Sequence, residues 1–469
     1  MSPHLEATRL SVSTSGGRLL VGPVDLDLKG GQPLTILGET GAGKSLIAQA
    51  LLGMLPDGLT ATGEVALEGT RIDTLSPRRR ARLWGRRLAL LPQEPWRALD
   101  PTMKALEQVA ETHQLVAGQK VETAAISARA DFSALRLEGA EERLPGALSG
   151  GMAQRVAFAA ARAGGAPVFL ADEPTKGLDA ALRDDVVRLL AAEVAEGAAL
   201  LTITHDVAVA RALGGDVLIL RDGAIVEVGP ADRVLDAPTS AYGRALVEAD
   251  PGRWPVVAGP APSGATVLSA EGLAVARGGH RLLSDFAMDL HAGERLAITG
   301  RSGSGKTSLL DTLAGLLVPA AGQVRRGADM GPWGLQKLYQ DPPAAFPPKV
   351  DIGRTLEDLA RRHDLPRGRI EGLMERLHLS ADLLARRPDA VSGGELQRLA
   401  LARVLALSPH VILADEPTSR LDPVTQRAVM EVIGEVAQEN SVAVLLVTHN
   451  PDIATRWAHS TREVCPGSS

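Results

Sequence analysis

Residues 38–45 read GETGAGKS, and residues 300–307 read GRSGSGKT. Each run follows a short apolar stretch and precedes a helical pattern, which is the setting that a phosphate-binding loop requires. Glycines let backbone N–H groups close around phosphate oxygens, and the helix N-terminus favours anions. The residues expected to bind the phosphates are Gly38, Gly41, Gly43, Lys44 and Ser45 in the first loop, and Gly300, Gly303, Gly305, Lys306 and Thr307 in the second. A chance glycine-rich turn would explain one such run, but not two that are followed by the same further motifs.

The two loops belong to a duplicated set of motifs that keeps its order. Each loop is followed by a glutamine, a Ser-Gly-Gly segment, an apolar strand that ends in Asp-Glu, and a Thr-His pair. The two serines lie 243 residues apart, as do the two aspartates, so the repeat has the length of a whole domain. The motif residues are Gln93, Ser149, Gly150, Gly151, Asp172, Glu173 and His205 in the first copy, and Gln340, Ser392, Gly393, Gly394, Asp415, Glu416 and His449 in the second.

The second copy is 15 residues shorter between its loop lysine and its glutamine. We place the loss at the counterpart of residues 64–69, whose alternating pattern indicates a strand and a turn. We interpret the difference as a trimmed surface hairpin and expect the site itself to be intact.

Composition excludes several classes of protein. The net charge is −6, and the short basic runs are more typical of a solvated helix face, so no nucleic-acid partner is expected. The single cysteine, Cys465, excludes intramolecular disulfides, zinc clusters and iron–sulfur clusters. The sequence has neither a leader pattern nor a long uncharged apolar run, so we expect a chain that does not cross a membrane by itself.

The chain is expected to contain two domains and a linker. Residues 1–249 form the first domain, residues 250–264 form a linker rich in proline and glycine, and residues 265–469 form the second domain. Within each domain, continuous apolar stretches such as residues 168–171 and 411–414 alternate with longer helical patterns. This alternation predicts an α/β fold with parallel sheets that are covered on both faces.

The polar residues that end the apolar strands indicate a hydrolytic site. Each aspartate is placed to hold Mg²⁺ indirectly, beside the hydroxyl that follows the loop lysine. Each glutamate can polarise an attacking water, and each histidine can contact the γ-phosphate. For a single residue, a carboxylate that caps the next turn or a surface histidine remains the alternative. Recurrence favours Ser45, Asp172, Thr307 and Asp415 as metal-binding residues, and Glu173, His205, Glu416 and His449 as catalytic residues.

The Ser-Gly-Gly segments precede helices and could also bind phosphate. Taken alone, such a segment is more often a helix N-cap than a ligand site. Its place 23 residues before the aspartate in both copies makes it more specific. The segment does not serve the phosphate loop of its own copy, so it predicts that the two copies face each other.

Together these motifs resemble those of ATP-binding cassette (ABC) ATPases over essentially the whole chain. They correspond to the Walker A, Q-loop, signature, Walker B, D-loop and switch-histidine motifs of that family. The resemblance implies two tandem P-loop NTPase domains, each with a parallel-sheet core, an antiparallel β subdomain and a helical subdomain, here about residues 94–148 and 341–391. It also implies ATP and Mg²⁺ as cofactors and head-to-tail pairing of the two domains within the chain. The added nucleotide-site residues are Gln93 and Gln340, which also reach the metal, and the D-loop residues Asp179 and Asp422.

A finer resemblance is to the ATPases of importers for peptides, nickel and related small solutes. Residues 93–95 with 99–101, and residues 340–342, are similar to the Gln-Asp-Pro…Leu-Asn-Pro run of that group, and residues 237–246 are similar to its post-cassette tail. The resemblance implies an energy-coupling subunit, peripheral on the cytoplasmic face of the plasma membrane, with two transmembrane permease subunits and a solute-binding protein. The alternatives are a membrane-free twin-cassette ATPase that acts on the ribosome and a DNA-repair or chromosome ATPase. The Pro/Gly linker and the acidic charge argue against the first alternative, and the lack of heptads and of cysteine pairs argues against the second.

The sequence departs from the family in places. Met152 stands where glutamine is common in the signature, and the second signature begins with Val391. The adenine-stacking aromatic is missing, and Arg277 is the candidate for that role in the second copy. We also expect the permease contact just after each glutamine, at exposed Trp96 and Phe346. The alternative is that both side chains pack inward on their own helical subdomains.

Overall fold

The computed structural model describes residues 4–93, 98–176, 178, 180–257, 259, 261–301, 303–419 and 421–464. The chain divides into two compact units, Met1–Asp250 and Pro251–Ser469. Each unit has a mainly parallel sheet, a separate antiparallel sheet and a group of helices, which confirms the predicted α/β fold class. In the described part of the chain, no helix is both long enough and apolar enough to cross a bilayer.

The first unit is built on a six-stranded sheet. The strands of the whole unit, in this sheet and in a second one, are β1 (His4–Thr14), β2 (Leu19–Lys29), β3 (Pro33–Leu37), β4 (Leu59–Leu67), β5 (Thr70–Arg71), β6 (Leu88–Leu91), β7 (Val168–Asp172), β8 (Ala199–Thr204), β9 (Asp216–Arg221) and β10 (Ala224–Pro230). The sheet has the order β10-β9-β3-β8-β7-β6, in which β10 is antiparallel to β9 and the other pairs are parallel. Val168 and Leu170 of β7 belong to one apolar cluster, and Phe169 and Ala171 belong to another. Because both faces of this strand are covered, its sequence is an unbroken apolar run.

The remaining elements of the first unit flank this core. An antiparallel sheet has the order β2-β1-β4-β5. The helices are α1 (Lys44–Leu52), α2 (Pro77–Ala81), α3 (Ala105–Leu115), α4 (Val121–Ala134), α5 (Gly150–Arg162), α6 (Ala180–Ala195), α7 (Val207–Leu213), α8 (Ala231–Asp236) and α9 (Ala241–Glu248). Helices α3, α4 and α5 share an apolar cluster that contains Val109, Phe132 and Val156, and they form the helical part of the unit.

The second unit repeats this plan with fewer strands. Its strands are β11 (Thr266–Arg277), β12 (His280–His291), β13 (Arg295–Thr299), β14 (Ala321–Arg326), β15 (Leu335–Leu338), β16 (Val411–Asp415), β17 (Ala443–Val447) and β18 (Ser460–Glu463). Its helices are α10 (Lys306–Ala314), α11 (Ile352–Arg362), α12 (Arg369–Arg376), α13 (Gly393–Ala406), α14 (Pro423–Glu439) and α15 (Pro451–Trp457). The parallel sheet has the order β15-β16-β17-β13-β18, and the antiparallel sheet has the order β12-β11-β14.

Part of the proline-rich segment between the copies packs on the second unit. Trp254 is buried in its apolar core. The carbonyl oxygen of Trp254 accepts a hydrogen bond from Arg456 at 2.8 Å, and the Val257 N–H donates to the carbonyl oxygen of Arg456 at 2.8 Å. These contacts hold residues 254–257 against α15.

The shortening of the second copy removes the second strand of the predicted hairpin and keeps the first. Strand β14 pairs with β11 as β4 pairs with β1, with Val324 opposite Ala270 and Val65 opposite Ala7, so the strand at residues 64–67 has a counterpart. The second copy instead lacks the elements equivalent to β5 and α2. The hairpin of β4 and β5 is therefore trimmed as predicted, but the loss begins after the strand at residues 64–67 and extends through the equivalent of α2.

In the first unit, α2 and the turn after it bind the C-terminal end of α1. Arg80 donates to the carbonyl oxygens of Ala50 and Leu51 at 2.8 Å each, and Trp84 donates to that of Leu52 at 3.1 Å. These bonds satisfy carbonyl groups that the C-terminal end of a helix leaves free. In the second unit, Arg326 of β14 donates to Ala314 at the matching helix end.

Candidate functional site

Each glycine-rich loop connects a central strand to a helix. The loop after β3 leads into α1, and the loop after β13 leads into α10. The glycine before each lysine is left-handed, with φ of 97° at Gly43 and 92° at Gly305. A Cβ atom added at Gly43 would lie 2.1 Å from Cγ2 of Val21, so the loop approaches β2 too closely for any other residue.

The loop lysines are buried and folded back over their own loops. Lys44 Nζ donates to the carbonyl oxygens of Gly38 and Glu39 at 2.7 and 2.9 Å. Lys306 Nζ donates to those of Gly300 and Arg301 at 2.8 Å each. Burial lowers the pKa of Lys44, although the nearby Glu173 opposes the shift. An ammonium group fixed at a helix N-terminus gives each loop a positive potential suited to phosphate.

The aspartates at the ends of β7 and β16 fit a divalent cation. Burial raises the pKa of Asp172, and its hydrogen bond with Ser45 opposes this. The Oδ1 atom of Asp172 is buried and has no hydrogen-bond partner among the described residues. In the second unit, the Thr307 hydroxyl lies 3.3 Å from Oδ1 of Asp415. Buried carboxylate and hydroxyl oxygens are a donor set that suits Mg²⁺.

The glutamate after each aspartate adopts an unusual backbone conformation. The φ angles are 48° at Glu173 and 45° at Glu416, in the left-handed region that residues other than glycine rarely enter. The N–H of Glu173 donates to the carbonyl oxygen of Ile203 at 2.8 Å, and that of Glu416 donates to Val447 at 3.0 Å. The same strained turn in both units aims both carboxylates toward the histidine that follows the next strand.

In the first unit, Glu173 contacts the switch histidine and the loop lysine. Oε1 of Glu173 lies 2.9 Å from Nδ1 of His205 and 3.7 Å from Nζ of Lys44. Burial alone would raise the pKa of Glu173, but the attraction of His205, followed by that of Lys44, lowers it below the ordinary value. The carboxylate is therefore ionised at neutral pH and can accept a proton.

In the second unit, the glutamate contacts both the histidine and the glutamine. Oε1 of Glu416 lies 2.5 Å from Nε2 of His449, and the Gln340 amide donates to Oε2 at 3.0 Å. Gln93 occupies the matching place after β6. The structure thus brings the predicted glutamate and histidine together in both units, through Nδ1 in one and Nε2 in the other.

The Ser-Gly-Gly segments form helix N-termini. Ser149 accepts a hydrogen bond from the Met152 N–H at 3.3 Å, and Ser392 accepts one from the Glu395 N–H at 3.3 Å. This capping is the alternative that the sequence left open. Both Gly150 and Gly393 are exposed, and a Cβ at either would meet no atom within 4 Å, so the helix starts are open to a ligand.

Two of the remaining predictions fall on residues that the structure does not describe. Asp179 and Trp96 both lie outside the described residues. The other D-loop residue, Asp422, caps α14 by accepting a hydrogen bond from the Thr425 N–H at 3.0 Å. Arg277 is exposed at the end of β11.

The prediction that Phe346 is an exposed contact residue is wrong. Its side chain is 4% exposed and belongs to the large apolar cluster of the second unit. A short 3-10 helix at Pro342–Ala345 turns the chain so that the ring packs inward. The inward packing was the alternative, and the burial follows from neighbours that are distant in sequence.

Sequence reasoning missed Lys337. This residue lies in β15, and its side chain is 6% exposed, with Nζ 2.6 Å from Oδ1 of Asp311 and 3.5 Å from Oδ2 of Asp415. The sequence signal was weak, because the strand reads Leu-Gln-Lys-Leu and is half polar, whereas a buried lysine needs a charged partner. Nothing in the strand itself indicates which carboxylates those partners are.

Comparison with known proteins assigns the family. The sequence model of the ABC transporter family matches residues 21–176 and 283–419, which together make up more than half of the chain. The chain belongs to the ABC transporter family. It is therefore an ATPase with two ATP-binding cassettes, as the motifs predicted.

The relatives of this ABC transporter ATPase include import proteins. It is 30% identical over 501 residues to the glutathione import ATP-binding protein GsiA of Salmonella typhi, covering 93% of this chain and 80% of that protein. The protein of the same name from Escherichia coli (strain K12) matches with the same identity and coverage. The predicted resemblance to importer ATPases of the peptide group is thus confirmed.

Solved structures share the twin-cassette fold. A chain described as RNase-L Inhibitor matches with a TM-score of 0.66 and 22% identity, covering 97% of this ABC transporter ATPase and 87% of that chain. A chain from the complex of archaeal ribosomal stalk protein aP1 with archaeal ribosome recycling factor aABCE1 matches with a TM-score of 0.69 and 22% identity, covering 98% and 86%. At this identity the similarity shows the fold alone.

Proposed function

We propose that this ABC transporter ATPase is the energy-coupling subunit of an importer for peptides, nickel or related small solutes. The observation that carries the proposal is the 30% identity to glutathione import ATP-binding proteins, which extends over 93% of this chain and therefore through both units. Glutathione is a tripeptide, so this similarity favours solutes of the peptide class.

In each proposed site, matching residues have matching roles. The loop residues and their lysine bind the phosphates of ATP, and the hydroxyl and aspartate hold Mg²⁺ together with the Q-loop glutamine. When bound, the metal ion offsets negative charge on the phosphates. The glutamate orients the attacking water and accepts its proton, and the histidine contacts the γ-phosphate. The ionised state of Glu173 and its contact with His205 support this assignment.

We infer that the two units pair head to tail within the chain. Each signature would then complete the site of the other unit, with Ser149 and Gly150 near the second loop, and Ser392 and Gly393 near the first. The D-loop residues Asp179 and Asp422 would lie at the same interface. The open helix starts at Gly150 and Gly393 support the inference. A covalent connection also favours pairing within one chain, because it raises the effective concentration of the partner.

The proposed importer contains two transmembrane permease subunits and a solute-binding protein. The chain would be peripheral to the membrane, on the cytoplasmic face of the plasma membrane. The support for these partners is that its relatives are named import ATP-binding proteins. No nucleic-acid partner is proposed, in accordance with the net charge of −6.

Since Phe346 is buried, we place the permease contact in a neighbouring groove of the second unit. The groove has a volume of about 950 Å³ and lies close to the Q-loop, with Ala344 in its lining. Its wall carries Arg362 and Arg403, together with Arg361, which pairs with Asp358 of the same wall, and Trp333 is 53% exposed at its side. The proposed occupant is a cytoplasmic segment of a permease that presents acidic and apolar side chains, because these complement the arginines and the indole.

A role on the ribosome is the second candidate. The fold similarity to chains from a ribosome recycling complex motivates it, although that similarity concerns fold alone. The segment between the copies is short and rich in proline, unlike the long charged helical linker expected of that class. Both candidates use the same ATPase chemistry, so the partner distinguishes them.

The test is purification of the tagged chain from detergent-solubilised membranes, followed by reconstitution in proteoliposomes. We expect two membrane proteins to co-purify and the reconstituted assembly to accumulate labelled peptide when ATP and solute-binding protein are supplied. The matched control is the Lys44→Ala/Lys306→Ala double variant, which should assemble but not transport. Co-purification of ribosomal subunits without membrane proteins would support the second candidate and contradict the proposal.

A further inference from the structure

Lys337 is a buried cation beside the proposed metal-binding aspartate of the second site. Its Nζ atom lies 2.6 Å from Oδ1 of Asp311 in α10 and 3.5 Å from Oδ2 of Asp415 at the end of β16. It also lies 5.2 Å from the ring centre of Tyr339. Oδ1 of Asp415 is the atom that the Thr307 hydroxyl contacts. The two oxygens of Asp415 therefore face different partners.

In the described part of the first unit, the strand position that matches Lys337 is not a cation. Lys337 of β15 pairs with Leu413 of β16. In the first unit, Leu90 of β6 pairs with the equivalent residue of β7, Leu170, so Leu90 occupies the position of Lys337. Gln49 stands five residues after Lys44, as Asp311 stands five residues after Lys306. The first unit folds with Leu90 packed on its apolar cluster, so the ion pair is not a requirement of this architecture.

The ion pair has an electrostatic consequence for the aspartate. A buried ammonium is costly unless carboxylates surround it, and here it takes Asp311 and one oxygen of Asp415 as partners. A divalent cation near Thr307 would have to share Asp415 with this ammonium group. In the first unit, Oδ1 of Asp172 has no hydrogen-bond partner among the described residues, and the cations that attract this carboxylate are Lys44 of the loop and Lys176, at whose matching position the second unit has Ser419.

We propose that Lys337, fixed by Asp311, is a positioning residue that holds one oxygen of Asp415 and makes the second site bind its divalent cation more weakly than the first. The inference rests on the proposed Mg²⁺–ATP sites. The two sites would then need different concentrations of divalent cation for half-saturation, although their nucleotide motifs are alike. The bland alternative is an ion pair that only stabilises the second unit and leaves metal binding unchanged.

The test measures metal binding at one site at a time, without turnover. Lys306→Ala leaves the first site as the reporter, and Lys44→Ala leaves the second. Mn²⁺ bound to the chain is obtained from the loss of its free electron paramagnetic resonance signal in the presence of the non-hydrolysable analogue AMP-PNP, after subtraction of the loss that AMP-PNP causes without the chain. We expect the second site to need about tenfold more Mn²⁺ for half-saturation, at the lower end of the effect of groups around metal ligands.

Reciprocal exchanges separate positioning from stability. Lys337→Leu/Asp311→Gln gives the second site the residues of the first and should lower its half-saturating Mn²⁺ about tenfold. Leu90→Lys/Gln49→Asp should raise that of the first site to a similar extent. Thermal unfolding without nucleotide reports any change in stability separately. If one exchange prevents folding, the other decides the question.

The outcomes distinguish this inference from the function on which it rests. Equal Mn²⁺ binding at the two sites, or exchanges that change thermal unfolding but not Mn²⁺ binding, would overturn the role of Lys337 alone. A chain that shows no nucleotide-dependent Mn²⁺ binding at either site would contradict the proposed Mg²⁺–ATP sites themselves.

Discussion

Replacement of Glu173 by glutamine tests the proposed catalytic role with the least structural change. The Glu173 carboxylate lies 3.7 Å from Nζ of Lys44, and this pair attracts by about 4 kcal/mol at an effective dielectric constant of about 20. Glutamine removes that attraction and leaves the buried ammonium free to pair with a phosphate. We therefore expect ATP to bind the Glu173→Gln variant at least as tightly as it binds the wild-type chain.

The same substitution removes the group that accepts the proton. Loss of a general base reduces turnover by about 100- to 10,000-fold at the affected site. We expect Glu173→Gln and Glu416→Gln each to lower ATP turnover severely, because paired sites share one closing motion, and the double variant to lose it almost completely. Both variants should accumulate in the closed form with ATP bound.

The assay pairs phosphate release with equilibrium binding of a fluorescent ATP analogue. Glu142→Gln is the matched control, because this glutamate is exposed in the same unit and pairs only with Lys104 in the contacts described. Wild-type turnover in either single variant would refute the equal catalytic roles of Glu173 and Glu416. Loss of ATP binding in Glu173→Gln would refute the calculation for Lys44.

Three further predictions concern assembly, coupling and acid stability. Ser45→Cys and Ser392→Cys in a Cys465→Ser background should crosslink within one chain when ATP is added, and crosslinks found only in dimers would contradict head-to-tail pairing. Trp333→Ala should reduce peptide transport by reconstituted importer at least tenfold while the basal ATPase rate of the isolated chain is unchanged; normal transport would place the permease contact elsewhere. Burial alone would raise the pKa of Glu227, but bonds from Ser240 and Thr239 lower it to about 2. Because the pKa of Glu227 is lower in the folded state, this carboxylate stabilises the fold above the unfolded pKa of about 4.5, and the stabilisation is lost as the pH falls toward about 2. Glu227→Gln should therefore flatten the melting temperature as a function of pH in this range. An unchanged slope would refute the assignment.

The nucleotide sites could be predicted from sequence because their chemistry depends on local order. A strand, a glycine-rich loop and a lysine at the helix start are consecutive in the chain, so the pattern around Gly43 and Lys44 fixes the loop conformation. The Asp-Glu pair at the end of β7 and the histidine after β8 follow from the parallel arrangement of adjacent strands. Their carboxyl ends lie at the same edge of the sheet.

The remaining features depend on contacts between distant parts of the chain. The burial of Phe346 is decided by helices of its own unit, and no local pattern encodes their position. The environment of Lys337 combines β15, α10 and β16, which are separate in sequence. The trimmed hairpin keeps its first strand because β14 pairs with β11, which precedes it by about 50 residues in the chain.

The left-handed backbone at Glu173 and Glu416 also limits which substitutions can remove the ATPase activity of a cassette during evolution without weakening its fold. A β-branched residue at either position would add strain of about 1–3 kcal/mol to the loss of the carboxylate, so it would weaken the fold as well as the chemistry. Glycine, asparagine or aspartate enters this region at little cost. Descendants that keep a folded but inactive cassette are therefore expected to carry one of these three residues, or an unbranched one such as glutamine, rather than a β-branched residue at this position.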